Sequence, residues 1–157
     1  MKRQRGVVLL LALGLSLLLA LLAASALRDA MMEMRLTGYM EAGLKAFKQA
    51  EDTLKAGFNQ LKLNPPAPCN ACPPPARPHD LEGEWQTTDD GYYHLQNLGV
   101  TKRAVHWPAG EPVTLYRVTA VSKQPETRQV LEAVYAAPTA LPQALQRILW
   151  RQRLREN

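Results

Sequence analysis

Two cysteines, three histidines and two acidic pairs are the side chains of this 157-residue chain that could do chemistry. Cys69 and Cys72 form a C-x-x-C motif within residues 63–78, a stretch of sixteen residues that contains seven prolines. The motif allows a local disulfide, a zinc half-site completed by His79 or Asp80, or a thioredoxin-like redox pair. We favour the disulfide, because four ligands at metal spacing are not present and a redox C-x-x-C opens a helix next to a strand.

The remaining polar residues do not form a catalytic motif. The histidines are scattered and are interpreted as ordinary loop or strand residues; they are His79, His94 and His106. Ser122 is the only serine after the apolar N-terminal block, and the chain has no phosphate-binding glycine loop and no H-E-x-x-H. The acidic pairs Asp89-Asp90 and Glu82/Glu84 flank turn signals, which favours solvated loops over a calcium site. We therefore expect no enzyme activity, no metal and no cofactor.

An apolar block near the N terminus is the most prominent element of the chain. Over residues 7–26 only Gly14, Ser16 and Ser25 are not aliphatic. Twenty helical residues rise about 30 Å, which matches the hydrocarbon core of a bilayer. Basic residues precede the block, so the positive-inside rule keeps the N terminus cytoplasmic and sends the rest of the chain across the membrane.

A secretory signal peptide is the competing interpretation of this block. Ala24-Ser25-Ala26 fits the A-x-A pattern of a cleavage site, with Leu27 as the new first residue. The block is longer than the roughly 7–15 apolar residues of a signal peptide, which favours the membrane helix.

The positive charge of the chain lies at its two ends. The net charge is +5, and the segments 1–6 and 147–156 carry +3 each. Because the middle is close to neutral, this distribution indicates membrane topology more than a nucleic-acid-binding face.

The apolar pattern continues after the block as an amphipathic helix. Apolar residues recur at steps of three and four, and no proline interrupts them before Pro65. Further along, Val113–Ser122 and 129–137 are β-rich runs that predict a hairpin. Pro142 then suits the first turn of a basic C-terminal helix. The predicted segments are a leader (1–6), a long helix (7–62, membrane-spanning over 7–27), a proline-rich connector (63–80), a β-rich head (81–138) and a final helix (139–157).

This combination of a basic leader ending in Gly6, a long helix and a small β-rich part resembles type IV pilin-like proteins. The stretches QRGVVLLLALGLSLLLALLAAS and RLTGYMEAGLKAFKQAEDTLKAG are most similar to the N-terminal region of PilX-type minor pilins. A run of the kind AFxxAExxL is typical there, and it is matched by Ala46, Phe47, Ala50, Glu51 and Leu54. The resemblance covers roughly residues 4–58. It implies an α+β, pilin-like fold in which the long helix packs on a small antiparallel β-sheet. The short C-terminal helix predicted from Pro142 completes this fold.

The resemblance also implies how the chain is processed and where it works. A prepilin peptidase would cut after Gly6, and the new amine on Val7 would be methylated. The protein would cross the inner membrane once, with its C-terminal part in the periplasm, and would then enter a pilus filament or its tip. The implied partners are other minor pilins and pilin subunits, contacted through the N-terminal helix, together with prepilin peptidase, the inner membrane and a tip adhesin. Nucleic acid is a less favoured partner that the sequence leaves open.

Leu11 departs from the usual pilin pattern. Most pilins carry Glu at the fifth mature position, which is Leu11 when counted from Val7. That carboxylate offsets the N-terminal amine of a neighbouring subunit, and a buried amine without a partner costs several kcal/mol. A tip subunit has no neighbour above it, so Leu11 favours a role in priming or at the tip. The alternative function is a membrane-anchored or secreted periplasmic binding module with no filament role.

Overall fold

The computed structural model describes residues 3–141 and 144–155, with side chains of the first helix described from Gly6 onward. The chain divides into two compact units, Met1–Glu41 and Ala42–Asn157. A single helix, α1 (Arg3–Leu63), contributes to both units. This confirms the prediction of one long N-terminal helix, which ends just before the first prolines of the connector.

The second unit contains a five-stranded antiparallel sheet. Its strands follow one another in space in the order of the chain, and each pairs with the next along the sequence. The strands are β1 (Gln86–Thr87), β2 (Gly91–Thr101), β3 (Val113–Ser122), β4 (Val130–Pro138) and β5 (Gln146–Arg153). The predicted hairpin corresponds to β3 and β4, so the predicted packing of a long helix on a small antiparallel sheet is confirmed.

The core lies between one face of the sheet and the C-terminal part of α1. Small residues of α1 bring the helix close to the strands, and Phe58 stacks on Tyr135 of β4 with 4.6 Å between ring centroids. Such ring pairs add roughly 0.5–1.5 kcal/mol to the burial of their area. The buried residues of this cluster are Ala50, Leu54, Leu61, Tyr116, Val118, Ala120, Leu131, Ala133, Tyr135 and Ala137.

The predicted C-terminal helix is wrong, because residues 146–153 form strand β5. Strand β4 is buried along nearly its whole length, so it needs a hydrogen-bonding neighbour on each side. The pairing places Trp150 opposite Ala133, and the Trp150 ring meets Phe47 of α1 edge-on at 6.4 Å. This tertiary contact overrides the helical spacing of the apolar residues in the segment. Pro142, expected to start the helix, lies outside the described residues.

The proline-rich connector crosses the face of the sheet opposite α1. Its carbonyl oxygens accept hydrogen bonds from the sheet: Arg117 Nη1 donates to Cys72 at 3.1 Å, and Arg153 Nη1 donates to Pro75 at 2.8 Å. Proline has no N–H to donate, so a proline-rich segment can cross a sheet by offering acceptors alone. The connector therefore covers part of the sheet face that points away from α1.

Candidate assembly surface

The predicted processing residues lie in the first turns of α1. Val7 and Leu11 are 58% and 68% exposed, and a β-carbon on Gly6 would meet nothing within 4 Å. Among the described residues, α1 is the helix that is long and apolar enough to cross a membrane, judged by length and composition. These side chains are therefore available to lipid or to other helices.

The exposed apolar surface of α1 extends beyond the apolar block. The segment 27–40, which we call the juxtamembrane segment, carries seven large apolar side chains that are all more than half exposed. They are Leu27, Met31, Met32, Met34, Leu36, Tyr39 and Met40. Charged residues such as Arg28, Asp29, Glu33 and Arg35 interrupt them, so the segment is not simply a continuation of a membrane span. Exposed apolar clusters of this kind mark interaction surfaces.

Cys69 and Cys72 lie at disulfide-bonding distance in the connector. Their Cα atoms are 5.9 Å apart, within the range of protein disulfides. Both sulfur atoms lie beside the carbonyl oxygen of Asn97, and the Asn97 side chain donates to the Pro66 carbonyl at 2.9 Å. The cysteines thus lie where the connector is hydrogen-bonded to Asn97 of β2, a position that suits a structural crosslink.

The structure gives the other candidate residues separate local contacts. His94 Nδ1 lies 2.8 Å from the carbonyl oxygen of Glu84, and His106 occupies a loop with φ of 61°. The Ser122 hydroxyl accepts a hydrogen bond from the Gln129 backbone N–H, which closes the β3–β4 turn. Within the ranges 3–141 and 144–155, no group of three or more His, Cys, Asp or Glu residues is placed to hold a metal ion.

Sequence reasoning missed a buried ion cluster under the connector. Glu132 of β4 is 1% exposed, and its Oε1 accepts from Arg151 Nε at 2.9 Å and Nη2 at 2.7 Å. Arg117 Nε lies 3.9 Å from the same oxygen. Burial lowers the pKa of the Arg117 guanidinium, and the Glu132 carboxylate opposes that shift. The only signal in the sequence is one glutamate in the apolar run VLEAVY, since a buried charge needs a partner.

No protein-family model, curated protein or solved structure matches this chain. The functional argument therefore rests on the residues and geometry described above.

Proposed function

We propose that this protein is a minor pilin or pseudopilin that takes part in assembling or priming a type IV pilus-like filament, at or near its tip. The observation that carries the proposal is the juxtamembrane segment. A helix that only tethers a domain needs apolar residues for the span and polar residues beyond it. Here large apolar side chains continue past Arg28 and remain exposed, which suits a helix that packs against other helices outside the bilayer.

The leader fits this role. Cleavage after Gly6 would remove Lys2, Arg3 and Arg5 and leave Val7 as the first residue. Those three charges would oppose transfer of the helix into an apolar fibre core, since each buried cation needs a partner. Removal by prepilin peptidase, followed by methylation of the Val7 amine, would prepare the helix for that transfer.

Leu11 restricts where in the filament the subunit would sit. A leucine side chain offers no charge to the N-terminal amine of an adjacent subunit, so insertion in the body of a fibre is disfavoured. At the tip the subunit would contact neighbours on one side only. The sheet would then be displayed at the end of the filament, where a tip adhesin or another minor pilin can bind it. Both a pilus and a secretion-type pseudopilus fit this arrangement.

The direct test of the assembly role is photo-crosslinking in cells of the native host. A benzoyl-phenylalanine placed at Met34 or Met40 should crosslink to the N-terminal helices of other pilin subunits. The same probe at Val105, an exposed loop residue of the second unit, is the matched control and should not give those products. Crosslinks to lipid or to unrelated membrane proteins alone would contradict the proposal and favour a simple anchor.

A second experiment separates assembly from tethering by sequence order. The residues 12–26 are shuffled so that composition and length stay the same and the cleavage site is untouched. A tether accepts any apolar helix, whereas a packed helix depends on which side chains lie on which face. We expect the shuffled protein to reach the membrane at normal levels but to lose filament formation. Normal filaments from the shuffled chain would contradict the proposal.

A further inference from the structure

Two adjoining hollows lie where three distant parts of the second unit meet. The first, about 310 Å³, is formed by the end of the connector (76–80) and the end of β5. The second, about 250 Å³, is formed by the β3–β4 loop (125–129) and the same end of β5. Both contain His79, Arg153, Leu154 and Arg155 in their walls, so they form one continuous depression. We call it the arginine hollow.

Four arginines line the arginine hollow: Arg77, Arg128, Arg153 and Arg155. Its acidic wall residues are Asp80 and Glu126, and Glu82 pairs with Arg77 from outside the walls. Segments separated by 20 or more residues therefore bring their positive charges to one small depression.

Internal contacts hold these guanidinium groups in place. Arg128 Nη1 donates to the His79 carbonyl at 2.5 Å, and Arg155 Nη2 pairs with Asp80 Oδ1 at 2.8 Å. A guanidinium has five N–H donors, and each of these contacts uses one. Arg128 Nε is buried and has no hydrogen-bond partner among the described residues. Both guanidinium groups therefore keep N–H donors that these two contacts do not use.

Both burial and the surrounding charges act on the pKa of the His79 ring. Its pKa is lowered first by burial and then by the charges of Arg155 and Arg153, with Arg128 adding to the effect. Asp80 acts in the opposite direction but does not cancel them. Charge that disfavours protonation of an imidazole favours an anion at the same place.

We propose that the arginine hollow binds a single tetrahedral oxyanion, a phosphate or sulfate group, either free or carried on a larger molecule. Arginine suits this role because its planar fork gives paired hydrogen bonds to such groups. Nucleic acid recognition would need basic residues spread along a groove, with aromatic rings between them. Here the basic side chains converge on one depression, and the only aromatic ring in its walls is that of His79. This proposal concerns the second unit alone and does not depend on the filament role.

The test uses the full-length protein in neutral detergent micelles, titrated with inorganic phosphate and separately with sulfate. Binding is followed by NMR through the His79 ring. We expect saturable binding that raises the His79 pKa, because a bound dianion offsets the arginine charges. Arg155→Gln should weaken binding about tenfold, as expected for loss of one charged hydrogen bond. Arg155 is 68% exposed at its side chain, so the variant should fold. The matched control is Arg103→Gln, which removes one exposed charge elsewhere and should leave binding unchanged.

A gain-of-function variant makes the test sharper. The Asp80 carboxylate competes with any anion for Arg155, so Asp80→Asn should tighten phosphate binding several-fold. Asp89→Asn removes an exposed carboxylate from another loop and should have no effect. No saturable binding, or equal effects of each variant and its control, would overturn the proposal.

The source of the group is distinguished by two further probes. If phosphatidylglycerol vesicles compete with inorganic phosphate for the hollow, the phosphate group that it binds belongs to an anionic lipid headgroup. Phosphatidylcholine vesicles, which carry no net charge, are the control and should not compete. Binding of a single-stranded oligonucleotide with a salt dependence that reports several phosphate contacts would overturn the single-group proposal.

Discussion

Gly57 of α1 faces Val118 of β3 so closely that a β-carbon on the glycine would lie 2.7 Å from Val118 Cγ1. The ring of Tyr93 lies 3.2 Å from the same point. Val118 is fully buried and β-branched, so its methyl group cannot turn away freely. The helix and the sheet can therefore pack this closely because residue 57 has no side chain.

Gly57→Ala should destabilise the protein even though alanine is the better helix former. Overpacking of a core typically costs about 1–3 kcal/mol, which exceeds the gain in helix propensity of about 1 kcal/mol. Gly43→Ala is the matched control, because a β-carbon there meets nothing within 4 Å and should stabilise the helix. Thermal unfolding of both variants measures the difference. In a Val118→Ala background, Gly57→Ala should cost less stability than it does alone. An unchanged Tm for Gly57→Ala alone would contradict the packing described here.

The ion cluster under the connector gives a second prediction. Glu132→Ala would leave the Arg117 guanidinium, 15% exposed at its side chain, without its nearby carboxylate. Removing one partner of a buried pair typically costs about 3–5 kcal/mol, whereas replacing both with apolar residues is often neutral. We expect Glu132→Leu combined with Arg117→Leu to be more stable than Glu132→Ala in denaturant unfolding. Glu111→Ala, at an exposed loop carboxylate, should change stability by less than about 0.5 kcal/mol. A double variant no more stable than the single one would contradict this account.

Local signals predicted part of this fold well. The unbroken run before Pro65 predicted the long helix, and the β-branched residues of 113–122 predicted β3. Strand β5 could not be predicted, because Leu145, Ile148 and Leu149 also fit a helical stripe and only the open edge of β4 decides between the two. The arginine hollow was missed for a similar reason, since its arginines come from three segments that meet only in the folded chain.

His79 should make the stability of the second unit depend on pH. Burial and the surrounding arginines lower its pKa below the ordinary 6.5, so the folded state binds this proton less readily than the unfolded chain does. The contribution of neutral His79 to the free energy of unfolding is therefore complete above about pH 6.5. This contribution is lost as the pH falls through the lowered pKa. The charged groups that act on the ring are Asp80, Arg128, Arg153 and Arg155.

The measurement is the Tm between pH 7.5 and 5 for the unmodified protein and two variants. His79→Asn should reduce the fall in Tm on acidification. His106→Asn is the control: the residue is exposed, and asparagine tolerates its positive φ. Equal pH dependence in the unmodified protein and His79→Asn would show that His79 does not contribute.

Leu11→Glu tests the proposed position in the filament. The new carboxylate could offset the N-terminal amine of a neighbouring subunit, so incorporation along the fibre should increase. Leu10→Glu places the same charge one residue away, on another side of the helix, and should not have this effect. Immunogold labelling of sheared filaments would count labelled subunits per length. Tip-only labelling of Leu11→Glu would contradict the proposed role of this position.

The mature N terminus of the protein, purified from its native host and determined by mass spectrometry, tests the central claim most directly. The account predicts a chain that begins at Val7 with an N-methylated amine. A chain that begins at Leu27, or one that retains Met1, would contradict it.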